Sequence, residues 1–209
     1  MNPPRDSNTG SIRVFIALVL SPQAIEVLTR TICALKQEIP SGVRWVEPSG
    51  IHLTLKFLGN IQPTLTGQVF DAMTRATQIN DSGSNDSGPF QLSLSQLGVF
   101  PNPRQPRVLW AGIQGDLAAL AGLQVRVEEA AGRIRFAPEQ RPYRPHLTLG
   151  RVRQGVSPPV RLQIGQAVSE AKLEASPPWK VDSLHLIQSD RRPDGAIYTS
   201  LWSVPLVGS

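Results

Sequence analysis

The sequence predicts an α+β fold built on antiparallel sheet, and three features support that prediction. Short β-branched and apolar runs are mixed with amphipathic helical patterns along the 209 residues, without regular strand–helix–strand units. Turn sequences such as SDRRPDG join strand-like runs directly, as in hairpins. The tetrapeptide HLTL occurs at 52–55 and again at 146–149, each time in a strand-like run, which indicates two similar halves.

The first half begins with an apolar run at 12–20 that is typical of a buried strand. Ser21 and Pro22 then predict the cap and first residue of a helix reaching about Glu38, and Gly42 follows in a Pro-Ser-Gly stop signal. The other elements predicted here are strands at 43–46 and 51–58, a helix at about 64–79 and a polar loop at 80–89.

The second half shows a similar mixture. Strands are predicted at 90–97 and 107–113, joined by a loop rich in Pro and Arg. Asp116 is placed to cap a helix to about residue 131, and Ser157 with Pro158 opens another to about residue 173. The remaining predicted strands are 145–152, 179–188 and 196–205.

Composition limits the class of protein. The chain is 40% hydrophobic and 18% charged, as expected for a globular fold. The longest apolar run near the start, 14–20, is far short of the ~18 residues of a membrane span, and no signal-peptide cleavage pattern follows a basic segment. We therefore expect a cytoplasmic protein without membrane attachment, with a disordered leader at 1–10 and a single domain at 11–206.

The basic charge is compatible with a phosphate-containing partner. Lys and Arg number 21 against 16 Asp and Glu, for a net charge of +5. Arginine makes paired hydrogen bonds to phosphate, but a modest surplus is also typical of an ordinary soluble surface. The single cysteine, Cys33, excludes an intramolecular disulfide and is expected in the core side of its helix.

The repeated tetrapeptide places two polar side chains on one face of each strand. Because side chains alternate along a strand, His52, Thr54 and Lys56 are predicted to share one face while the leucines face the core. His146 and Thr148 repeat the arrangement. One such histidine is typical of a strand surface, whereas two copies predict that both polar faces line a single groove.

Two imidazoles and two hydroxyls suit acid–base chemistry on a phosphodiester. An unperturbed histidine has a pKa of about 6.5, so one ring can accept a proton while the other donates one. The hydroxyls can donate to non-bridging phosphate oxygens. A zinc site competes for the histidines but needs three or four ligands, which these strands do not supply. The prediction is therefore in-line hydrolysis without metal or cofactor.

Both motifs lie within longer segments that resemble a known family. These segments are RWVEPSGIHLTLKFLG (44–59), VFPNPRQPRVLWAGI (99–113), RPYRPHLTLGRVR (141–153) and LHLIQSDRRPDGAIYTSLWSVPL (184–206). They resemble the bacterial and archaeal RNA 2',3'-cyclic phosphodiesterases, first described as 2'-5' RNA ligases, within the two-histidine phosphoesterases. The resemblance covers about residues 11–206.

The resemblance implies a bilobal fold of two antiparallel sheets with outer helices, related by a pseudo-two-fold, with a cleft between the lobes. It implies hydrolysis of a 2',3'-cyclic phosphate at an RNA end to a 2'-phosphate. We expect the protein to act on RNA ends as a monomer. The resemblance also implies that His52 is the proton donor, His146 the proton acceptor, and Thr54 and Thr148 phosphate contacts.

Three further residues are candidates for substrate binding. Strict alternation puts Arg151 on the apolar face, although a bulge at Gly150 would redirect it toward phosphate. Tyr143 is compatible with lobe packing or with stacking on a terminal base. Lys56 is predicted to steer phosphate from the His52 face, or simply to be solvated.

Two other side chains are weaker candidates for the functional site. His185 alternates with flanking leucines and is expected to be exposed or at the rim, whereas Phe57 is expected in the core rather than as a base-stacking platform.

Two alternative functions are compatible with the sequence. The same site could run in reverse and join RNA ends through a 2'-5' bond, although excess water favours hydrolysis. The fold could also serve as an RNA- or nucleotide-binding module without turnover, but the presence of both histidines favours catalysis.

Overall fold

A computed structural model describes residues 10–78, 88–192 and 195–207. It confirms the predicted α+β class, with nine strands, four α-helices and two short 3-10 turns in the described part of the chain. The strands are β1 (Ile12–Leu18), β2 (Val43–Trp45), β3 (Leu53–Ile61), β4 (Phe90–Phe100), β5 (Val108–Gly115), β6 (His146–Val152), β7 (Trp179–Val181), β8 (Ser183–Arg192) and β9 (Gly195–Pro205). The helices are α1 (Pro22–Glu38), α2 (Thr66–Thr77), α3 (Leu117–Arg133) and α4 (Pro158–Glu170).

The strands form two antiparallel sheets with related connectivity. One sheet has the order β3-β1-β8-β9, and the other has the order β2-β6-β5-β4-β7. The chain order β1-α1-β3-α2 in the first half returns as β5-α3-β6-α4 in the second. In each half the HLTL strand pairs with the strand that opens its unit, which is the pseudo-symmetry expected from the repeated tetrapeptide.

Helix α1 follows the sequence prediction in detail except at its cysteine. The Ser21 Oγ accepts a hydrogen bond from the backbone nitrogen of Ala24 at 3.2 Å, and Pro22 is the first helical residue. Cys33 is exposed, so its prediction as a core residue is wrong. It lies beside the buried stripe that includes Ile32 and Leu35, one step around the helix.

The single strand predicted at 179–188 is in fact two strands in different sheets. β7 pairs with β4, whereas β8 pairs with β1 and β9. The chain changes sheets at Asp182, whose carbonyl accepts a hydrogen bond from the Leu206 nitrogen at 2.8 Å. An unbroken apolar pattern cannot show this change, because it reports burial and not the identity of the partner strand.

Other differences lie at element ends and in the undescribed residues. β3 begins at Leu53, so His52 directly precedes the strand and does not lie inside it. Asp116 precedes α3 as predicted, but its carboxylate accepts from the Gln91 nitrogen at 2.8 Å and does not cap the helix. The predicted leader up to residue 9 and the polar loop up to residue 87 lie outside the described residues.

Among the described residues, helices pack against one face of the four-stranded sheet. The main core joins both sheets and all four helices, with Leu28, Met73, Leu123 and Ile164 among the helical contributors. A second, small cluster consists of Phe15, Ala17 and Ile187, with Tyr198 against it. It lies on the other face of the sheet, because these residues alternate with core residues along β1 and β8. In the described part of the chain, no helix has the length and apolar character needed to cross a membrane.

Candidate active site

His52 and His146 are held by equivalent hydrogen bonds. The Nδ1 of His52 lies 2.8 Å from the carbonyl oxygen of Gly50, and the Nδ1 of His146 lies 2.7 Å from that of Arg144. A carbonyl oxygen only accepts, so each Nδ1 carries the hydrogen and donates it. The Nε2 of each neutral ring is therefore a proton acceptor, and that of each charged ring is a proton donor.

A β-bulge occurs in β3 at the last residue of the first tetrapeptide. Across β1 and β3, Ala17 pairs with Thr54 and Ile16 pairs with Lys56, which leaves Leu55 without an opposite residue. An extra residue of this kind resets the alternation of side chains. Beyond it, Lys56 faces the core side with Ile16, and the next residue returns to the histidine side.

The bulge overturns the prediction for Lys56. The residue is 4% exposed, and its Nζ lies 2.6 Å from a carboxylate oxygen of Glu128 and 2.9 Å from the carbonyl oxygen of Ala137. Its expected place on the His52 face is wrong, since the alternation on which it rested is broken at Leu55. Lys56 forms a buried ion pair with α3 and is not available to a substrate.

The same bulge brings Phe57 to the histidine side. Phe57 pairs with Phe15 across the two strands, their ring centroids lie 5.9 Å apart, and Phe57 is 58% exposed. The prediction of Phe57 as a core residue is therefore wrong. Strict alternation of side chains along the strand placed this aromatic ring on the opposite face.

β6 carries the matching bulge. Across β5 and β6, Trp110 pairs with Thr148 and Leu109 pairs with Gly150, which leaves Leu149 without an opposite residue. Arg151 consequently returns to the Thr148 face and is exposed. The sequence suggested a bulge at Gly150, and a bulge is present beside it at Leu149. As expected, it turns Arg151 to the Thr148 face.

The surroundings of the two imidazoles differ. The Phe15 ring stacks on His52 at 4.3 Å and an interplanar angle of 26°, and the Tyr198 ring meets it edge-on at 4.9 Å. Burial lowers the pKa of His52 to about 4, against the opposing effect of the Gly50 carbonyl. His146 has the ring of Phe100 edge-on at 5.1 Å. Sequence reasoning missed these three aromatic neighbours, because apolar alternation does not distinguish ring contacts from core packing.

The two strands that follow or contain the HLTL histidines, β3 and β6, lie close together in the fold. Cα atoms of β3 and β6 approach within 8 Å of each other. Tyr143 precedes His146 by three residues, and its hydroxyl donates to the carbonyl oxygen of Thr54 at 3.3 Å. Tyr143 packs against the main core, and burial raises its pKa. Of the two interpretations of Tyr143, lobe packing is therefore the one supported by its contacts.

His185 lies on the same face as Thr54, two strands away. It pairs with Ala17, which in turn pairs with Thr54. Its ring nitrogens lie 3.1 Å from the Ser183 Oγ and 3.2 Å from the Ser200 Oγ. Burial lowers its pKa. The side chain is half-buried and bracketed by serines, in line with the expected rim position.

The residues described in the structure contain no cluster of three or more His, Cys, Asp or Glu side chains that could hold a metal ion. Each imidazole presents an Nε2 atom that can take up or release a proton, and a threonine lies on the same face two residues later in the chain.

Comparison with known proteins identifies a family. The model of the 2'-5' RNA ligase superfamily matches residues 24–193. A curated relative from Methanothermobacter thermautotrophicus, named RNA 2',3'-cyclic phosphodiesterase, is 30% identical over 91% of this chain and 96% of that protein. A relative of the same name from Archaeoglobus fulgidus is 31% identical over 77% of this chain and 82% of that protein.

Solved structures share the fold. TT0787 of Thermus thermophilus superimposes with a TM-score of 0.67 at 27% identity, covering 94% of this chain and 99% of that one. E. coli LigT, in a crystal structure with 3'-AMP, gives a TM-score of 0.66 at 22% identity over 94% of this chain and 99% of that one, which is a likeness of fold. Because the family model spans most of the chain and curated relatives at 30% and 31% identity cover 91% and 77% of it, the chain belongs to the 2'-5' RNA ligase superfamily.

Proposed function

We propose that the protein is an RNA 2',3'-cyclic phosphodiesterase, which opens a 2',3'-cyclic phosphate at an RNA 3' end to leave a 2'-phosphate and a 3'-hydroxyl. The observation that carries the proposal is the equivalent support of His52 and His146 at two bulged strands that lie against each other. The names of the curated relatives support the same reaction.

The reaction needs one base and one acid. The Nε2 of His146 takes a proton from water while the water oxygen attacks phosphorus. The bond from phosphorus to O3' breaks, and the charged His52 gives its Nε2 proton to O3'. Each proton transfer of this kind contributes about 10²- to 10⁴-fold to the rate. The ring protons then re-equilibrate with solvent.

The threonines and Arg151 serve the phosphate. Thr54 and Thr148 follow the histidines by two residues, and their hydroxyls donate to the non-bridging oxygens, where negative charge grows during attack. Arg151, turned to the Thr148 face by the bulge at Leu149, adds a positive charge beside the same group.

The surroundings of His52 link its protonation to substrate binding. A pKa of about 4 makes the ring neutral near pH 7 in the free protein, whereas a proton donor must be charged. A bound phosphate anion within a few ångströms favours the charged imidazole and raises its pKa. We therefore propose that His52 takes up its proton as the anionic substrate binds.

We further propose that the protein is a monomer and acts on RNA ends in the cytoplasm without a metal ion. Purified protein in EDTA should convert an oligoribonucleotide with a 2',3'-cyclic phosphate end to the 2'-phosphate. The His52→Ala/His146→Ala double variant is the matched control. Loss of turnover in EDTA that one divalent ion restores, or a 3'-phosphate product, would contradict the mechanism.

The same assay distinguishes the alternatives. Supplying a second oligonucleotide with a 5'-hydroxyl tests the reverse reaction, and a 2'-5' bond as the main product would replace hydrolysis by ligation. Tight binding of the cyclic-phosphate RNA without any product would identify a binding module.

A further inference from the structure

The C-terminal strand brings an aromatic ring onto His52. Tyr198 lies in β9, which pairs with β8. Its ring meets the imidazole of His52 at 4.9 Å and 71°, and it meets the ring of Phe15 at 5.9 Å and 82°. Phe15 also stacks on the imidazole. The ring of His52 is therefore bounded by two aromatic side chains from two other strands.

The same tyrosine also packs on the residue that anchors His52. A Cβ placed on Gly50 would lie 2.7 Å from Cδ2 and 3.0 Å from Cε2 of Tyr198, closer than real Cβ contacts allow. The backbone of Gly50 is not left-handed, so glycine is needed there for space. The Gly50 carbonyl accepts the Nδ1 hydrogen bond of His52. One ring thus contacts both the imidazole and its hydrogen-bond partner.

We propose that Tyr198 is a positioning residue for His52. Its ring packs against Gly50, which has no Cβ, and holds the imidazole against Phe15 so that Nε2 points at the phosphate. This inference rests on the proposed function. One hydrogen bond at Nδ1 leaves the ring free to tilt about it, and a displacement of about 1 Å at a reacting group can cost about 100-fold in rate. The two aromatic contacts remove that freedom.

Variants at both ends of the contact test the proposal, with kcat and KM measured on a mononucleoside 2',3'-cyclic phosphate in EDTA. Tyr198→Leu should lower kcat by about 10- to 100-fold and change KM by less than about 3-fold, because orientation acts on the chemical step. Tyr198→Phe should keep near wild-type kcat, since the ring and not the hydroxyl acts. Gly50→Ala should lower kcat as well, because the added Cβ displaces the ring.

The double variant gives the sharpest result. Once the ring is absent, the methyl group at position 50 has nothing to displace, so Gly50→Ala should cost little in the Tyr198→Leu background. Strong non-additivity of this kind is the mark of two residues acting through one contact. Additive losses would overturn the proposal.

Trp202→Leu is the matched control. Trp202 lies on the same strand but packs on Phe70 of α2, and the residue is 44% exposed. Its replacement should leave kcat unchanged. A kcat loss equal to that of Tyr198→Leu would mean that the whole hairpin matters, which would overturn a specific role for Tyr198.

A spectroscopic signal separates positioning from simple stability. The NMR resonances of the His52 ring should shift and broaden in Tyr198→Leu, while those of His146 stay in place. Unchanged His52 resonances, unchanged kcat in folded Tyr198→Leu, or an equal loss in Tyr198→Phe would each overturn the proposal. If the wild-type protein itself shows no turnover, the proposed function fails, and these resonances still test the contact.

Discussion

The imidazoles of His52 and His146 make equivalent hydrogen bonds. In each, Nδ1 donates to the carbonyl oxygen of the residue two positions earlier, at 2.8 Å for His52 and 2.7 Å for His146. Their rings differ in what surrounds them, since His52 is flanked by Phe15 and Tyr198 while His146 meets Phe100 edge-on. Equivalent backbone hydrogen bonds therefore hold both rings, and burial beside Phe15 and Tyr198 lowers the pKa of His52.

Removing either imidazole should remove one proton transfer. His52→Ala and His146→Ala are each expected to lower kcat by at least ~100-fold on a 2',3'-cyclic phosphate. His185→Ala is the control, because His185 shares the face of Thr54 but lies two strands away between serines. Steady-state kinetics measure kcat for the three variants. A loss of kcat in His185→Ala as large as in the other two would contradict the assignment of His52 and His146 as the acid–base pair.

The buried state of His52 should appear in both its titration and the stability of the protein. In the free protein we expect its ring to titrate near pH 4, well below the ordinary ~6.5, because burial disfavours the charge. The unfolded chain then binds more protons than the folded one between these values. This contribution to stability is present above about pH 6.5 and lost as pH falls toward 4.

NMR titration of the His52 ring and urea unfolding between pH 7 and 4 measure these effects. His52→Gln should flatten the part of the pH dependence that belongs to this residue. A non-hydrolysable nucleotide phosphate should raise the pKa of His52, as the proposed uptake of a proton requires. Titration of His52 near 6.5 in the free protein would refute the account of its burial.

Phe57 should contribute to substrate binding through its exposed ring. Phe57 is 58% exposed and lies on the His52 side, so we expect its ring to stack on the terminal base. Stacking on an aromatic side chain is worth about 1–3 kcal/mol per base, which predicts a KM increase of about 5- to 150-fold in Phe57→Ala. Phe57→Trp should retain binding, and stability should change little.

Two comparisons test the stacking directly. A cyclic phosphate of ribose without a base should show the same KM with Phe57→Ala as with the wild type. Val125→Ala, an exposed apolar site on α3, should leave KM unchanged for every substrate. An equal KM increase for the base-free substrate would exclude stacking as the cause.

The buried pair of Lys56 and Glu128 should matter for stability. Lys56→Met leaves the Glu128 carboxylate without its partner, and breaking a buried pair typically costs about 3–5 kcal/mol. Lys56→Met/Glu128→Met should recover much of the loss, because an apolar pair of similar volume needs no charge compensation. Urea unfolding measures both variants.

Arg30→Met is the exposed counterpart. Arg30 pairs with Glu26 and Glu174 at the surface, where solvent screening leaves such pairs little net contribution to stability. If Lys56→Met instead kept wild-type stability and only raised KM, the phosphate-steering role predicted from the sequence would be restored.

Local pattern in the sequence determined much of this protein. Ser21 and Pro22 mark the start of α1, and the mixture of strand and helix periods gives the α+β class. The repeat of HLTL pointed to two equivalent strands, and Gly150 after the second copy suggested the bulge that turns Arg151. The signals for these inferences are short stretches of sequence that can be recognised without knowing which strands pair.

Only the tertiary structure decided the face of Lys56 and Phe57, because the bulge at Leu55 exists only in the ladder with β1. The sheet change at Asp182 has the same cause, since a strand's partner lies far away in sequence. The aromatic surroundings of His52 come from β1 and β9, at opposite ends of the chain. Side-chain alternation is a local property, whereas register and ring contacts arise from strands brought together by folding.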